Sequence, residues 1–175
     1  MHTLLLTALV LSVLGAAIDL RTGRIPNALT VPALVLFPIL HVALAYQAHA
    51  GAAWRQGAIS VFGGLVCALV PLLLLSKLAI GGGDVKLLAA LGAALGPMIG
   101  IEAEFYAFLA ASVVLPVRLA YQGRFWRGLV SIAASAVNPS ARKAAVTEDF
   151  MSFLRMGPAI AAGTLVTLVL HWRSI

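Results

Sequence analysis

Acidic side chains are scarce in this chain: Asp19, Asp84, Glu102, Glu104, Glu148 and Asp149 are the only six in 175 residues, and charged residues of both signs make up 10%. A typical soluble domain is about 25% charged and about 45–50% apolar, whereas this chain is 62% hydrophobic with a mean hydropathy of +1.03. A chain of this length leaves roughly a third of its unfolded surface exposed after folding, too much to hide that apolar excess from water. Lipid is therefore the expected solvent. Cysteine occurs once, as Cys67 within Gly63-Gly64-Leu65-Val66-Cys67-Ala68, which excludes an internal disulfide and a paired-thiolate metal site and leaves a small packing residue. Also lacking are internal repeats, low-complexity tracts and any serine, histidine and acid cluster. His2, His49 and His171 fall near the ends of apolar stretches, and His41 is alone inside one.

What is present is a succession of six apolar stretches, at about 3–18, 28–46, 57–76, 87–101, 105–122 and 156–172. They predict an all-α polytopic membrane protein, about six transmembrane helices in one bundle, with residues 1–175 forming a single transmembrane domain. A span takes about 17–25 residues, so the first and fourth stretches are short. Placing both termini outside puts Arg21, Arg24, Lys77, Lys86, Arg118, Arg124, Arg127, Arg142, Lys143 and Arg155 on the cytoplasmic side and leaves Arg55 and Arg173 outside. That asymmetry follows the positive-inside rule. It also accounts for the net charge of +6 with no nucleic-acid partner. Gly15-Ala16-Ala17 resembles a cleavage site, but Met1-His2-Thr3 lacks the positive n-region of a signal peptide, so the first span is expected to be retained. Over about 121–155 the composition is mixed. Arg124-Phe125-Trp126-Arg127 followed by Leu129-Val130-Ser131-Ile132-Ala133 predicts an interfacial helix tethered to anionic headgroups on the cytoplasmic side, broken at Asn138-Pro139-Ser140.

Topology sorts the six acids. Glu102 and Glu104 are expected in a short outer turn between the fourth and fifth spans, and Glu148-Asp149 in the long inner loop, where a solvated charge costs little. Asp19 ends the first span in Gly15-Ala16-Ala17-Ile18-Asp19-Leu20-Arg21, and Asp84 opens the fourth in Gly81-Gly82-Gly83-Asp84-Val85-Lys86. One span ends inward and the other begins there, so both carboxylates are expected at one membrane face and at similar depth. Taken singly, Asp84 reads as a helix cap and Asp19 as a helix end meeting water beside Arg21 or Arg24. Taken together they are ionisable groups at the hydrocarbon boundary, which are functional-site candidates by default.

Such a pair suits peptide hydrolysis by water. Two carboxyls sharing a site do not both ionise readily, so one keeps a proton while the other stays charged. The charged member takes a proton from the attacking water and the protonated one donates to the carbonyl oxygen; the two titrations belong to the pair. Gly81, Gly82 and Gly83 would let the backbone approach an extended substrate. Gly92, Gly96 and Gly100, four residues apart, would line one face of the fourth span for close helix packing.

Asp19-Leu20-Arg21-Thr22-Gly23-Arg24-Ile25-Pro26-Asn27 resembles the first aspartate motif of type IV prepilin peptidases, and Gly81-Gly82-Gly83-Asp84-Val85-Lys86-Leu87-Leu88-Ala89-Ala90-Leu91-Gly92 resembles their GxGD motif. Gly157-Pro158-Ala159-Ile160-Ala161 looks like the family's last span. The resemblance implies a prokaryotic inner-membrane aspartic endopeptidase, without cofactor or metal, that removes the short basic leader of pilin-like precursors at the cytoplasmic face. It carries the catalytic role to Asp19 and Asp84. Lys86 and Asn27 match family positions and join the three glycines as candidates for shaping the site or binding substrate. Lys86 could stabilise an ionised Asp84 or anchor the inner membrane edge, and Arg21 and Arg24 match without a derivable role. Asp19 comes too early for the cysteine-bearing N-terminal region of the larger, methylating members. The resemblance is thus to the short members that serve tight-adherence (Flp-type) pili, and methyltransferase activity is not expected.

Presenilin-like enzymes also use a GxGD aspartate, but their Pro-Ala-Leu motif follows it, whereas Pro32-Ala33-Leu34 precedes Asp84 here. A small ion- or proton-coupled transporter using boundary carboxylates is the alternative from another class. It predicts flux without cleavage. A non-catalytic assembly subunit would tolerate Asp84→Asn.

Overall fold

The computed structural model describes residues 2–48, 51–75, 81–121 and 156–172, which form six helices: α1 (His2–Thr22), α2 (Asn27–Gln47), α3 (Ala53–Leu75), α4 (Gly82–Leu95), α5 (Pro97–Tyr121) and α6 (Gly157–His171). Helices satisfy their own backbone hydrogen bonds, as a segment in hydrocarbon must. α1, α2, α3 and α5 are long and apolar enough to cross a membrane. The chain is an all-α polytopic membrane protein. The basic and aromatic segment at 124–127 and the interfacial helix expected after it lie outside the described residues, as do Lys77, Glu148 and Asp149.

α4 is the axis of the bundle. Every residue from Asp84 to Leu95 except Lys86 is buried, because α1, α2, α3 and α5 all pack on it. Four neighbours fit around one short helix because the contacts are made by small residues. A Cβ on Gly64 would stand 3.1 Å from the Ala89 carbonyl oxygen, one on Gly92 would stand 2.6 Å from the Cys67 Cβ, and one on Gly63 would overlap the Gly92 carbonyl. Cys67, free and buried, fills the space where α3, α4 and α5 meet. The buried Ser60 hydroxyl donates to the Ala93 carbonyl at 2.6 Å, an interhelical bond of the kind that contributes about 0.6 kcal/mol in a membrane bundle.

Three expectations are corrected. The fourth stretch is not one helix over 87–101: α4 stops at Leu95, Gly96 turns the chain at φ +78°, and α5 begins at Pro97. A positive φ suits glycine, and proline is preorganised to open the next helix. The three spaced glycines therefore do not line one face; Gly100 lies on α5 and is folded back onto Gly92 and Cys67. For the same reason Glu102 and Glu104 are in no outer turn. Both are on α5, where Glu102 accepts a hydrogen bond from His171 Nε2 of α6 at 2.7 Å, and Glu104 is only 5% exposed with its Oε1 unpartnered.

Candidate active site

The buried residues of α1 are Leu4, Leu5, Ala8, Leu11, Ser12, Gly15, Ala16 and Asp19. They recur at helical spacing along one stripe, so the periodicity that buries the apolar residues also carries Asp19 inward. Asp19 is 4% exposed. The end of the stripe is built of small side chains, which brings neighbouring helices close: a Cβ on Gly15 would stand 3.0 Å from Leu87 Cδ2 of α4.

α1 runs a turn beyond the hydrophobic stretch and closes just after the carboxylate. Gly23 adopts φ +68° and its N–H donates to the Asp19 carbonyl at 2.8 Å, the glycine stop that satisfies carbonyls at a helix end. The Thr22 hydroxyl lies 2.9 Å from the Ile18 and Arg24 carbonyl oxygens. Ile25 is then buried against Gly83, where a Cβ would stand 3.1 Å from the isoleucine Cβ and carbonyl oxygen. Pro26 caps α2 in extended conformation, and Asn27 opens it. The Asn27 Oδ1 accepts from Lys86 Nζ at 2.8 Å, so each aspartate segment grips the other twice.

Asp84 occupies the first turn of α4. Its N–H donates to the Gly81 carbonyl at 3.1 Å, and its Oδ2 accepts from the Gly81 N–H at 3.3 Å. The side chain therefore reaches back to the cap instead of out to solvent, and Asp84 is 7% exposed. A carboxylate in the first helical turn is favoured by the helix dipole.

Asp19 and Asp84 converge. The two carboxyls are within electrostatic reach of one another. A third segment joins them: the N–H of Gly157, the first residue of α6, donates to Asp19 Oδ2 at 3.1 Å in a buried contact. Nothing in the residue pattern singled Gly157 out as touching an aspartate. Its readable signal was glycine followed by proline at the head of an apolar run, which marks a helix start.

The other sequence candidates divide. Gly81 is the cap of α4, Gly83 is packed on Ile25, and a Cβ on Gly82 would meet nothing within 4 Å. Lys86 is bonded to Asn27, and among the described residues no ion pair joins it to Asp84. Nor does any group of three or more His, Cys, Asp and Glu among the described residues form a set that could hold a metal ion. Of the histidines, the His2 ring lies 4.9 Å from that of Trp172 in a tilted contact, His171 pairs with Glu102, and His41 Nε2 lies 3.0 Å from the Ala94 carbonyl oxygen. A cavity of about 620 Å³, lined by Leu4, His41, Leu44, Leu95, Gly96 and Ile99 among others, also belongs to the opposite end of α4.

The family model described as the type IV leader peptidase family matches residues 5–116, from the start of α1 to within α5, and both aspartates fall inside the match. No curated protein and no solved structure matches the chain. The match covers well over half of the residues and includes both of the converging carboxyls: the protein belongs to the type IV leader peptidase family.

Proposed function

We propose that this peptidase is an aspartic endopeptidase in which Asp19 and Asp84 divide one proton and cleave the short basic leader from Flp-like prepilins at the cytoplasmic face of the inner membrane. The observation that carries the reading is the convergence of two nearly fully buried carboxyls, from α1 and α4, at one end of the bundle. In each, Oδ2 takes a backbone N–H, and among the described residues no hydrogen bond engages either Oδ1.

The ionised carboxylate accepts a proton from water as the oxygen attacks the scissile carbonyl carbon, while the protonated carboxyl donates to the carbonyl oxygen. The tetrahedral diol then collapses, its hydroxyl proton returns to one carboxylate, and the leaving nitrogen takes the proton held by the other. Atoms and charge balance, and the pair ends with the single proton it began with. Gly82, which has open space where a side chain would stand, lets an extended chain approach the head of α4.

Charge supports the membrane face. Among the described residues, Arg21, Arg24 and Lys86 flank the aspartates, while Arg55 opens α3 at the other end, as expected if the aspartate end faces the cytoplasm. The chain works as one peptidase domain.

Co-expression with a pilin-like precursor tests the reading. Asp19→Asn and Asp84→Asn are each expected to leave the precursor uncleaved, with rates down by about 10²–10⁴-fold and the variants inserted at wild-type levels. Normal processing by both inserted variants would overturn it.

A further inference from the structure

The Gly157 contact lies beyond the residues that match the family model, which end at 116. We infer that the N-terminus of α6 is the positioning device for Asp19: the Gly157 N–H holds the carboxylate, and only glycine fits at that position. The inference rests on the aspartate pair proposed above and adds a third element to it.

Three observations converge. The first is the bond itself, 3.1 Å long, buried, and spanning nearly the whole chain from α1 to α6. The first N–H groups of a helix have no partner within it, so burying the head of α6 demands an acceptor, and Asp19 Oδ2 supplies one. The second is steric. A Cβ at 157 would stand 2.8 Å from Asp19 Cβ, 2.9 Å from its Oδ2 and 3.0 Å from Ala16 Cα. Any larger residue would therefore push the carboxylate or α1 aside.

The third is that α6 is itself held firmly. A Cβ on Gly163 would overlap the Ala107 backbone nitrogen of α5, so the two helices meet backbone to backbone, and α6 also packs along α1. Pro158 follows at the second position of α6, where it offers no competing N–H and fixes φ for the first turn. The head of α6 thus has little freedom to withdraw from Asp19.

The consequence concerns turnover. A carboxylate that must meet both a water and the partner carboxyl needs a fixed orientation, and a displacement of about 1 Å costs on the order of 10²-fold in rate. Gly157 touches neither substrate nor water in this scheme; it acts through Asp19.

The test uses the full-length protein in detergent, cleaving a prepilin-like peptide that carries a basic leader and an apolar segment. Two variants are compared: Gly157→Ala, and a semisynthetic protein with glycolic acid in place of Gly157, which removes the N–H while keeping the shape. Both are expected to lower kcat by about 10–100-fold with KM within about twofold, and the ester, which leaves a buried carboxylate oxygen without its donor, is expected to insert and fold with a modestly lowered unfolding temperature. Gly163→Ala, which disturbs packing alone, should lower the unfolding temperature instead. A wild-type kcat for the ester, or a loss confined to KM, would overturn the inference. If Gly157→Ala fails to insert, the ester decides alone. Dead Asp19→Asn and Asp84→Asn variants beside a fully active ester would remove this inference and leave the aspartate pair standing; active aspartate variants would remove both.

Discussion

At one end of the bundle Asp19 and Asp84 are almost fully buried, and each carboxylate takes a backbone N–H, from Gly157 and Gly81. At the other end Glu102 is a third exposed and meets His171 side chain to side chain. Backbone donors at helix heads are fixed by the fold, whereas a pair of flexible side chains at a rim adjusts freely and contributes little. The aspartate end is thus built to hold carboxyls in place, and the Glu102 end to tolerate one. Glu104, on α5, is as deeply buried as the aspartates but has no donor for its Oε1 among the described residues. Burial alone does not make a carboxyl part of a site; convergence does.

The comparison is broken most severely by exchanging its terms. Asp19→Asn or Asp84→Asn should abolish leader cleavage, while Glu102→Gln should leave the cleavage rate within about twofold, since a pair about a third exposed at a rim is worth about 0.2–1 kcal/mol. Rates measured side by side on one precursor check this, and their pH dependence sharpens it. Cleavage should follow a bell whose two limbs belong to the aspartate pair, and Glu102→Gln should leave both limbs in place.

Next in size are the contacts around α4. Gly63→Ala and Gly92→Ala introduce a Cβ against backbone or Cys67, and overpacking of this kind costs about 1–3 kcal/mol. Their unfolding temperatures in detergent should fall, and processing should fall only as far as the folded fraction does. Glu104→Met is expected to move the opposite way. It removes a buried oxygen without a partner, whose desolvation costs about 1–3 kcal/mol, so stability should be unchanged or higher and cleavage should persist. The smallest effect is expected from Asn27→Ala. It removes one exposed bond to Lys86, worth at most about 1 kcal/mol, and should lower cleavage by less than about tenfold.

Much of the aspartate end was legible in the sequence. Asp19 and Asp84 stand where apolar runs stop and start, and the glycines before Asp84 and the Ile25-Pro26-Asn27 turn are local signals that the fold uses locally. The expected second and sixth spans lie within a residue or two of α2 and α6. What was missed has two causes. Hydropathy runs across Gly96-Pro97 without a dip, so the helix break there was overlooked and Glu102 and Glu104 were placed in a solvated turn. The glycine at φ +78° followed by proline was the better signal. Gly157 escaped for another reason: a backbone N–H leaves no mark on residue type, and its partner is far away along the chain.

Convergence of the two aspartates is open to a direct measurement. In a Cys67→Ala background, D19C and D84C are combined, a protease site is placed in the loop between α2 and α3, and a short bifunctional thiol reagent is added in native membranes. The two halves should stay joined after proteolysis, and D19C combined with E102C should fall apart. Failure of the D19C/D84C pair to cross-link, or equal cross-linking of both pairs, would contradict a site made from these two side chains.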